Sequence, residues 1–326
     1  MLWRNPERFK PKSGEYVYVK LPWLEKGGNE WHPFSIYLRE ATKEGLDSLN
    51  LQSSLLQESG SDGVLSGNNF VETTNIDALE SGARHEDLFE FTKSVLDKEF
   101  GTKRNDPTSL MMYEARQGRK IFDTTQVFIS PIGDWSKQLL SQVNSRKQLQ
   151  SCWIRGPFTS PYFIAHDFSH LVLTASGIGI TPALGVMGQY QGFTRTKILI
   201  WSTRSKTMLQ FFAPLLKDAH LAVIFYTGKE EKLTPTELMT IRSYGNIFIQ
   251  ESRNSSLVGT ISSLITMFEN EMNVDSAVAA SVMDVEKSHR NAWCVLYCGG
   301  NKDIRDQIKA FAKDKDLRYQ SELFDW

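Results

Sequence analysis

Three cysteines in 326 residues are an odd number without metal-binding spacing, so there is no disulfide framework and the thiols read as reduced, as in a cytosolic compartment. Apolar runs are short. None approaches the ~18–20 residues of a membrane helix, and the start of the chain has no signal-peptide pattern. A charge excess is missing as well. With 37 basic against 38 acidic side chains, no basic surplus exists to displace counterions from phosphates, which excludes nucleic acid as a partner. No internal repeat is visible. What is present is an ordinary composition, 40% hydrophobic and 11% aromatic, on a chain long enough for two domains with cores of their own.

The first of these domains is β-rich. "KSGEYVYVK" (12–20) reads as a turn at Ser13-Gly14 followed by an alternating strand, with Tyr16 and Tyr18 on one face and Val17 and Val19 on the other. "WHPFSIYL" (31–38) is a second strand, with Pro33 near its start, where a missing N–H is tolerated. Residues 41–118 form an insertion whose Ser/Gly/Asn/Gln-rich part is too polar to build a core. Within it, Leu88, Phe91, Val95 and Leu96 fall at helical spacing and predict one amphipathic helix. "TQVFIS" (125–130) is a strand, "SKQLLSQVN" a helix, and "SCWIRGPF" another strand and turn.

From about residue 157 strands and helices alternate through "HLVLTASG", "TKILIWST", "LAVIFYTG", "NIFIQE", "AWCVLYCGG" and "LRYQSELFD". Short apolar strands spaced by helices predict a doubly wound parallel sheet. The expected fold class is therefore β plus α/β: an antiparallel β domain over 1–155, then an α/β domain over 156–326, with the boundary near Arg155–Pro157.

The strongest local signal is "LTASGIGITPALG" (173–185). A strand ends, Gly177 and Gly179 let the backbone close on a pyrophosphate, and a helix is expected from Pro182, a favoured first position. Its N-terminus offers unpaired N–H groups and positive potential. "WSTRSK" (201–206) follows the next strand, where a doubly wound sheet meets an adenosine ribose. That turn has no Asp or Glu for ribose hydroxyls, whereas Arg204 and Lys206 suit a ribose phosphate, favouring NADPH over NADH. "YCGG" (297–300) puts Cys298 and two glycines at the same sheet edge. Cys152 and Cys294 read as inert. His166 and His170 stand four apart but lack a third ligand, and no metal site is expected. "HPFS" (32–35) and "GDWS" (133–136), each explicable as a plain strand start or turn, gain meaning beside the glycine turn.

In this order the motifs resemble the ferredoxin–NADP⁺ reductase superfamily, specifically its NADPH oxidase and ferric reductase branch. "EWHPFSI" is similar to that branch's first flavin motif, "IGDWS" to its second, "RGPF" to the link into the nucleotide domain, and "SGIGITP" to the pyrophosphate turn. "IWSTR", "YTG" and "YCGG" follow in the family order, so the resemblance spans most of the chain.

The resemblance implies FAD and NADPH as cofactors. It places His32 at the FAD pyrophosphate, Phe34 beside the flavin, and Ser35 near the reactive flavin nitrogen or ribityl chain. Trp135 and Ser136 would close the phosphate and adenine side. Gly177, Gly179 and Thr181 would bind the NADPH pyrophosphate, Arg204 its ribose phosphate, and Cys298 with Gly299 the nicotinamide. Pro33, Gly133, Asp134, Gly156, Pro157, Ile178 and Pro182 complete the binding motifs, and Ser35, Cys298 and Trp326 form the implied catalytic set. Trp326 would stack on the isoalloxazine, worth ~0.5–1.5 kcal/mol beyond burial, in the slot the nicotinamide must enter. Phe324 is the alternative stacker.

The chain departs from the pattern at Ser130-Pro131 ahead of Gly-Asp-Trp, at Thr159 in "GPFT", and at "CGGN". Its start, "MLWRNPERFKPKSGEYVYV", falls inside what the family would call the second barrel strand, so a flavin barrel without its first strand is expected. The family's haem-bearing transmembrane helices are the implied partner, as the preceding part of the same protein. The implied location is the cytosolic face of a membrane. The resemblance implies an NADPH oxidase passing electrons through FAD and haem to oxygen. A ferric reductase, a soluble flavin reductase and a degenerate interaction module are the competing readings.

Overall fold

The computed structural model describes residues 2–4, 9–24, 28–40, 85–101, 122–145, 150–188, 196–228, 231–251, 256–276 and 293–322. Alternation builds the first module. In β2 (Glu15–Lys20), Val17 and Val19 are fully buried while Tyr16 and Tyr18 face outward. The strand expected over 31–38 is split at Ile36 into β3 (His32–Ser35) and β4 (Tyr37–Glu40). The Ile36 N–H leaves the ladder for the Glu15 carbonyl at 3.1 Å, and the chain changes sheets there. β3 joins β2 and β6 (Trp153–Thr159) in the order β3-β2-β6; β4 joins β1 (Leu2–Arg4) and β5 (Phe122–Gln126) in the order β1-β5-β4. Both sheets are antiparallel. Their shared core holds Val17, Val19, Leu21, Ile36, Leu38, Val127 and Trp135.

β5 ends at Gln126, so the expected strand over 125–130 lies further upstream than its apolar run, although Val127 and Phe128 stay buried. β6 runs through the expected boundary at Arg155–Pro157 and pairs with β2 as far as Thr159. A 3₁₀ segment, Pro161–Asp167, then leads into the second module.

That second module is a six-stranded parallel sheet in the order β10-β9-β8-β7-β11-β12. Its strands are β7 (His170–Ser176), β8 (Thr196–Thr203), β9 (Leu221–Tyr226), β10 (Ile247–Gln250), β11 (Trp293–Cys298) and β12 (Arg318–Glu322). With α1 (His85–Gly101) and α2 (Asp134–Ser145) preceding it, the helices of this module are α3 (Ile180–Gly188), α4 (Lys206–Phe212), α5 (Pro235–Arg242), α6 (Leu257–Ser276) and α7 (Lys302–Asp314). At Pro214 the helix begun at Lys206 gives way to a 3₁₀ turn, Ala213–Asp218. Successive strand residues serve opposite cores: Leu199 and Trp201 one face, Ile198 and Ile200 the other. Each fully buried aliphatic or aromatic side chain contributes about 1.5–3 kcal/mol of transfer free energy.

The antiparallel module followed by a doubly wound α/β module is the expected architecture. One placement is new. The predicted insertion helix is α1, and it packs on the α/β module: Leu88, Val95 and Leu96 join the core formed by Val223, Phe225 and Phe248, and α1 lies against α6. Among the described residues, no helix is long and apolar enough to cross a membrane.

Candidate functional site

Two motifs about a hundred residues apart in sequence meet in the β module. His32 and Phe34 lie across from Val19 and Val17, hence on the inner face of β3. There the indole of Trp135, in the first turn of α2, stands 4.2 Å from the His32 ring and 6.0 Å from Phe34, centroid to centroid. Trp135 is buried, yet its Nε1–H has no acceptor among the described residues. His32 also faces the Glu30 carboxylate at 3.2 Å. Pro33 is tolerated because β3 is an edge strand. The α2 start is built from Gly133, whose carbonyl accepts from the Lys137 N–H at 3.0 Å and the Ser136 hydroxyl at 2.9 Å. Asp134 is the first helical residue, complementing the positive helix end. A side chain at Gly133 would meet open space.

Ser35 points the other way, on the face of Tyr16, its partner in register. Its hydroxyl is buried and unpaired among the described residues. Tyr16, Tyr18 and Phe158 form an aromatic cluster on that outer face, with centroids 5.5–5.8 Å apart. Burial raises the Tyr16 hydroxyl pKa, with further contributions from Tyr18 and the Glu322 carboxylate, so this face looks toward the second module. Gly156 has φ +136° and precedes Pro157 through a cis peptide bond, at the turn of β6 that carries Phe158 into the cluster.

In the second module the glycine turn is a 3₁₀ turn, Gly177–Gly179, feeding α3 at Ile180, two residues before the expected start at Pro182. Gly177 has φ +54°, a left-handed conformation, and a side chain there would enter open space. Gly179 is packed against the Cys298 carbonyl and Gly299, leaving no room for a Cβ. Thr181 and Pro182 are buried in the first turn of α3, and Ile178 is half-buried beside it. The turn is tied down by contacts no motif predicts. Trp201 donates its indole N–H to the Gly177 carbonyl at 2.9 Å, and Ser176 meets the Tyr297 hydroxyl at 3.3 Å. Tyr297 in turn donates to the Asn301 carbonyl at 3.0 Å.

This turn and the Cys298–Gly299 end of β11 flank the position where strand order reverses, between β7 and β11. Ligands of open α/β sheets bind in that crevice, outside the carboxyl ends of the strands. Arg204 is exposed beyond the end of β8. Cys298 is fully buried, and burial, reinforced by Glu322, pushes its thiol well above the ordinary range, so it stays protonated. Its side chain lies in the core cluster and is not a thiolate nucleophile. Trp326 and Phe324 lie outside the described residues.

Glu322 is the residue that sequence reasoning missed. It ends β12 opposite Cys298, and its carbonyl accepts the Gly299 N–H at 3.3 Å. Burial pushes its carboxyl up to about 7, against the pull of a hydrogen bond with Ser160, and its Oε2 is buried without a partner among the described residues. A proton can therefore be taken up or released there near neutral pH. In sequence, one glutamate in "SELFD" reads as a solvated charge, and no local signal separates it from others.

The modules meet closely here. The His166 Nε2 contacts the Ser13 carbonyl at 2.9 Å, the Ser160 N–H donates to the Gly14 carbonyl at 3.1 Å, and a Cβ on Gly185 of α3 would approach the Ile36 carbonyl to 2.5 Å. His170 instead stacks on Trp293 at 4.9 Å, and among the described residues no group of three or more His, Cys, Asp or Glu is arranged to hold a metal.

No protein-family model and no curated protein matches the sequence. Solved structures do. The chain superposes on full-length CYP116B46 from Tepidiphilus thermophilus with TM-score 0.43 and 12% identity, over 99% of this chain and 26% of that one. For the CS-b5R domains of human Ncb5or in the NAD⁺ form the values are 0.42 and 13%, over 98% and 63%. For Plasmodium falciparum ferredoxin-NADP⁺ reductase with 2′P-AMP they are 0.38 and 10%, over 97% and 85%. The chain thus spans about a quarter of the first and under two-thirds of the second. At this level of superposition the likenesses carry no functional weight, and strand order and register define the fold.

Proposed function

We propose that the chain is a flavin-dependent NADPH oxidoreductase, with FAD held mainly by residues 1–155 and NADPH by residues 156–326. The observation that supports this most is the switch point between β7 and β11. There an open glycine turn starts a helix that packs on Ile36, next to Ser35, while Glu322 stands beside Cys298. The residues present fit the cofactors: open space over Gly133 and Gly177, an unpaired buried hydroxyl on Ser35 and an unpaired indole N–H on Trp135. Bound FAD would supply two-electron uptake from a hydride and one-electron release.

The chain's own residues have distinct tasks. Gly177, Gly179 and the α3 N-terminus take a pyrophosphate by backbone N–H groups, and Arg204 pairs a ribose 2′-phosphate. His32, Phe34 and Trp135 form the aromatic wall of the FAD side, with Gly133, Asp134 and Ser136 at its phosphate end. The Ser35 hydroxyl is a hydrogen-bond donor for a ring nitrogen, and Glu322 holds an exchangeable proton at Oε2. Cys298 and Gly299 shape the nicotinamide pocket by backbone and bulk.

The finer reading is an NADPH oxidase whose electrons cross a haem-bearing transmembrane domain to oxygen on the other side of a membrane. Ferric iron is the competing acceptor. The purified chain is expected to be yellow and to bleach on anaerobic NADPH addition. A colourless protein that refuses added FAD overturns the proposal. In a preparation joined to its haem partner, superoxide formation against ferric-chelate reduction separates the two acceptors.

A further inference from the structure

At the carboxyl edge of β8 and β9 stand two cations of different status. Arg204 is exposed and makes no hydrogen bond or ion pair among the described residues. Lys206, two residues on, is engaged. Its ammonium lies 2.8 Å from Glu237 Oε1 and donates to the Lys232 carbonyl at 3.4 Å. The pair is mostly shielded, with side chains 21% and 24% exposed. Glu237 is itself held on every side. Gln210 Nε2 donates to Oε1 at 2.9 Å, while the Thr234 N–H and hydroxyl donate to Oε2 at 2.8 and 2.9 Å. That capping box fixes the carboxylate at the start of α5, where both its oxygens are already used. Burial pushes Glu237 up, but the Lys206 and Thr234 hydrogen bonds outweigh it, and the carboxylate is held below its usual range.

We propose that Glu237 sets the dinucleotide selectivity of this edge by sequestering Lys206, so that a ribose 2′-phosphate is read by Arg204 alone. The inference rests on the reading of the glycine turn as a nicotinamide dinucleotide site. A carboxylate anchored by a cap does not follow its lysine toward a ligand, and a phosphate can recruit Lys206 only by breaking a formed ion pair. Preference for the phosphorylated dinucleotide is therefore modest in the native chain and can be raised without adding any cation.

Calorimetric titration of the full chain with 2′-phospho-AMP and with AMP, at low salt, tests this. Arg204→Ala is expected to remove the preference for 2′-phospho-AMP, whereas Lys206→Ala changes it less than about twofold. Glu237→Gln keeps an oxygen for the Thr234 cap and should tighten 2′-phospho-AMP about three- to fivefold, the reach of one mostly shielded ion pair, with AMP unchanged. Adding Lys206→Ala to Glu237→Gln should cancel that gain. A gain that survives Lys206→Ala, or that AMP shares, overturns the assignment. So does a single Lys206→Ala that costs as much as Arg204→Ala, a comparison that holds even if Glu237→Gln fails to fold. Native chain that binds neither nucleotide refutes the underlying dinucleotide site as well, which separates that failure from failure of the selectivity mechanism.

Discussion

A carboxyl that titrates near 7 in the seam of two modules is where single-residue chemistry is most concentrated in this molecule. Glu322 keeps its proton in the folded chain at pH values where the unfolded chain has lost it. Its contribution to stability is then complete below the ordinary glutamate pKa and disappears as pH rises toward about 7. Glu322→Gln, neutral throughout, should flatten the fall in melting temperature between about pH 5 and 7. Scanning fluorimetry across that range checks it; a variant with the native slope would mean the carboxyl is ionised when folded. The neighbouring glycines were legible in sequence because their chemistry is local: a left-handed φ at Gly177 and a missing side chain at Gly179 belong to the turn itself. Glu322 was not legible, because its burial comes from β11 and the 3₁₀ segment packing against β12.

Among elements, α1 shows the same division. Its helical spacing is readable in Leu88, Phe91, Val95 and Leu96, and the structure has a helix at His85–Gly101. Where it docks is not readable. The chain leaves the β module at Glu40 and returns at Phe122, yet α1 lies on the α/β sheet, with the Phe91 ring 5.6 Å from Phe248. It supplies apolar cover for the Val223, Phe225 and Phe248 face, on the side of the sheet that also carries α6. Leu88→Ala should therefore cost about 2–5 kcal/mol, as a truncation in a packed core does. Urea unfolding of the full chain reads the loss. A change within about ±0.5 kcal/mol, typical of surface sites, would show that α1 is not docked.

For the whole molecule, the decisive feature is the seam. α3, which follows the glycine turn, lies so close to Ile36 that Gly185 has no room for a side chain, while Gly188 faces the Tyr37 ring. The nucleotide turn and the β3–β4 bend are thereby set at one distance. Gly185→Val should wedge α3 away from the Ile36 carbonyl while leaving each core intact. Flavin retention should persist, whereas NADPH-driven bleaching should slow by about a hundredfold, the cost of a displacement near 1 Å. Stopped-flow absorbance separates the two. Loss of flavin together with bleaching would show that the seam holds the β module itself.

The sequence alone determined the order of strands and helices, the change of rhythm near residue 157 and the freedom of the glycine turn in "SGIGITP", but not the split of the 31–38 run at Ile36 or the upstream placement of β5. What it determined follows from side-chain period and backbone freedom, which act over a few residues. Only the tertiary structure decided that His32 stacks on Trp135, that Trp201 and Tyr297 tie down the glycine turn, that Cys298 is a buried thiol, and that Lys206 is already held by Glu237. Each of these is a contact between distant parts of the chain. Burial and pairing are properties of what surrounds a group, and a linear sequence does not name its surroundings.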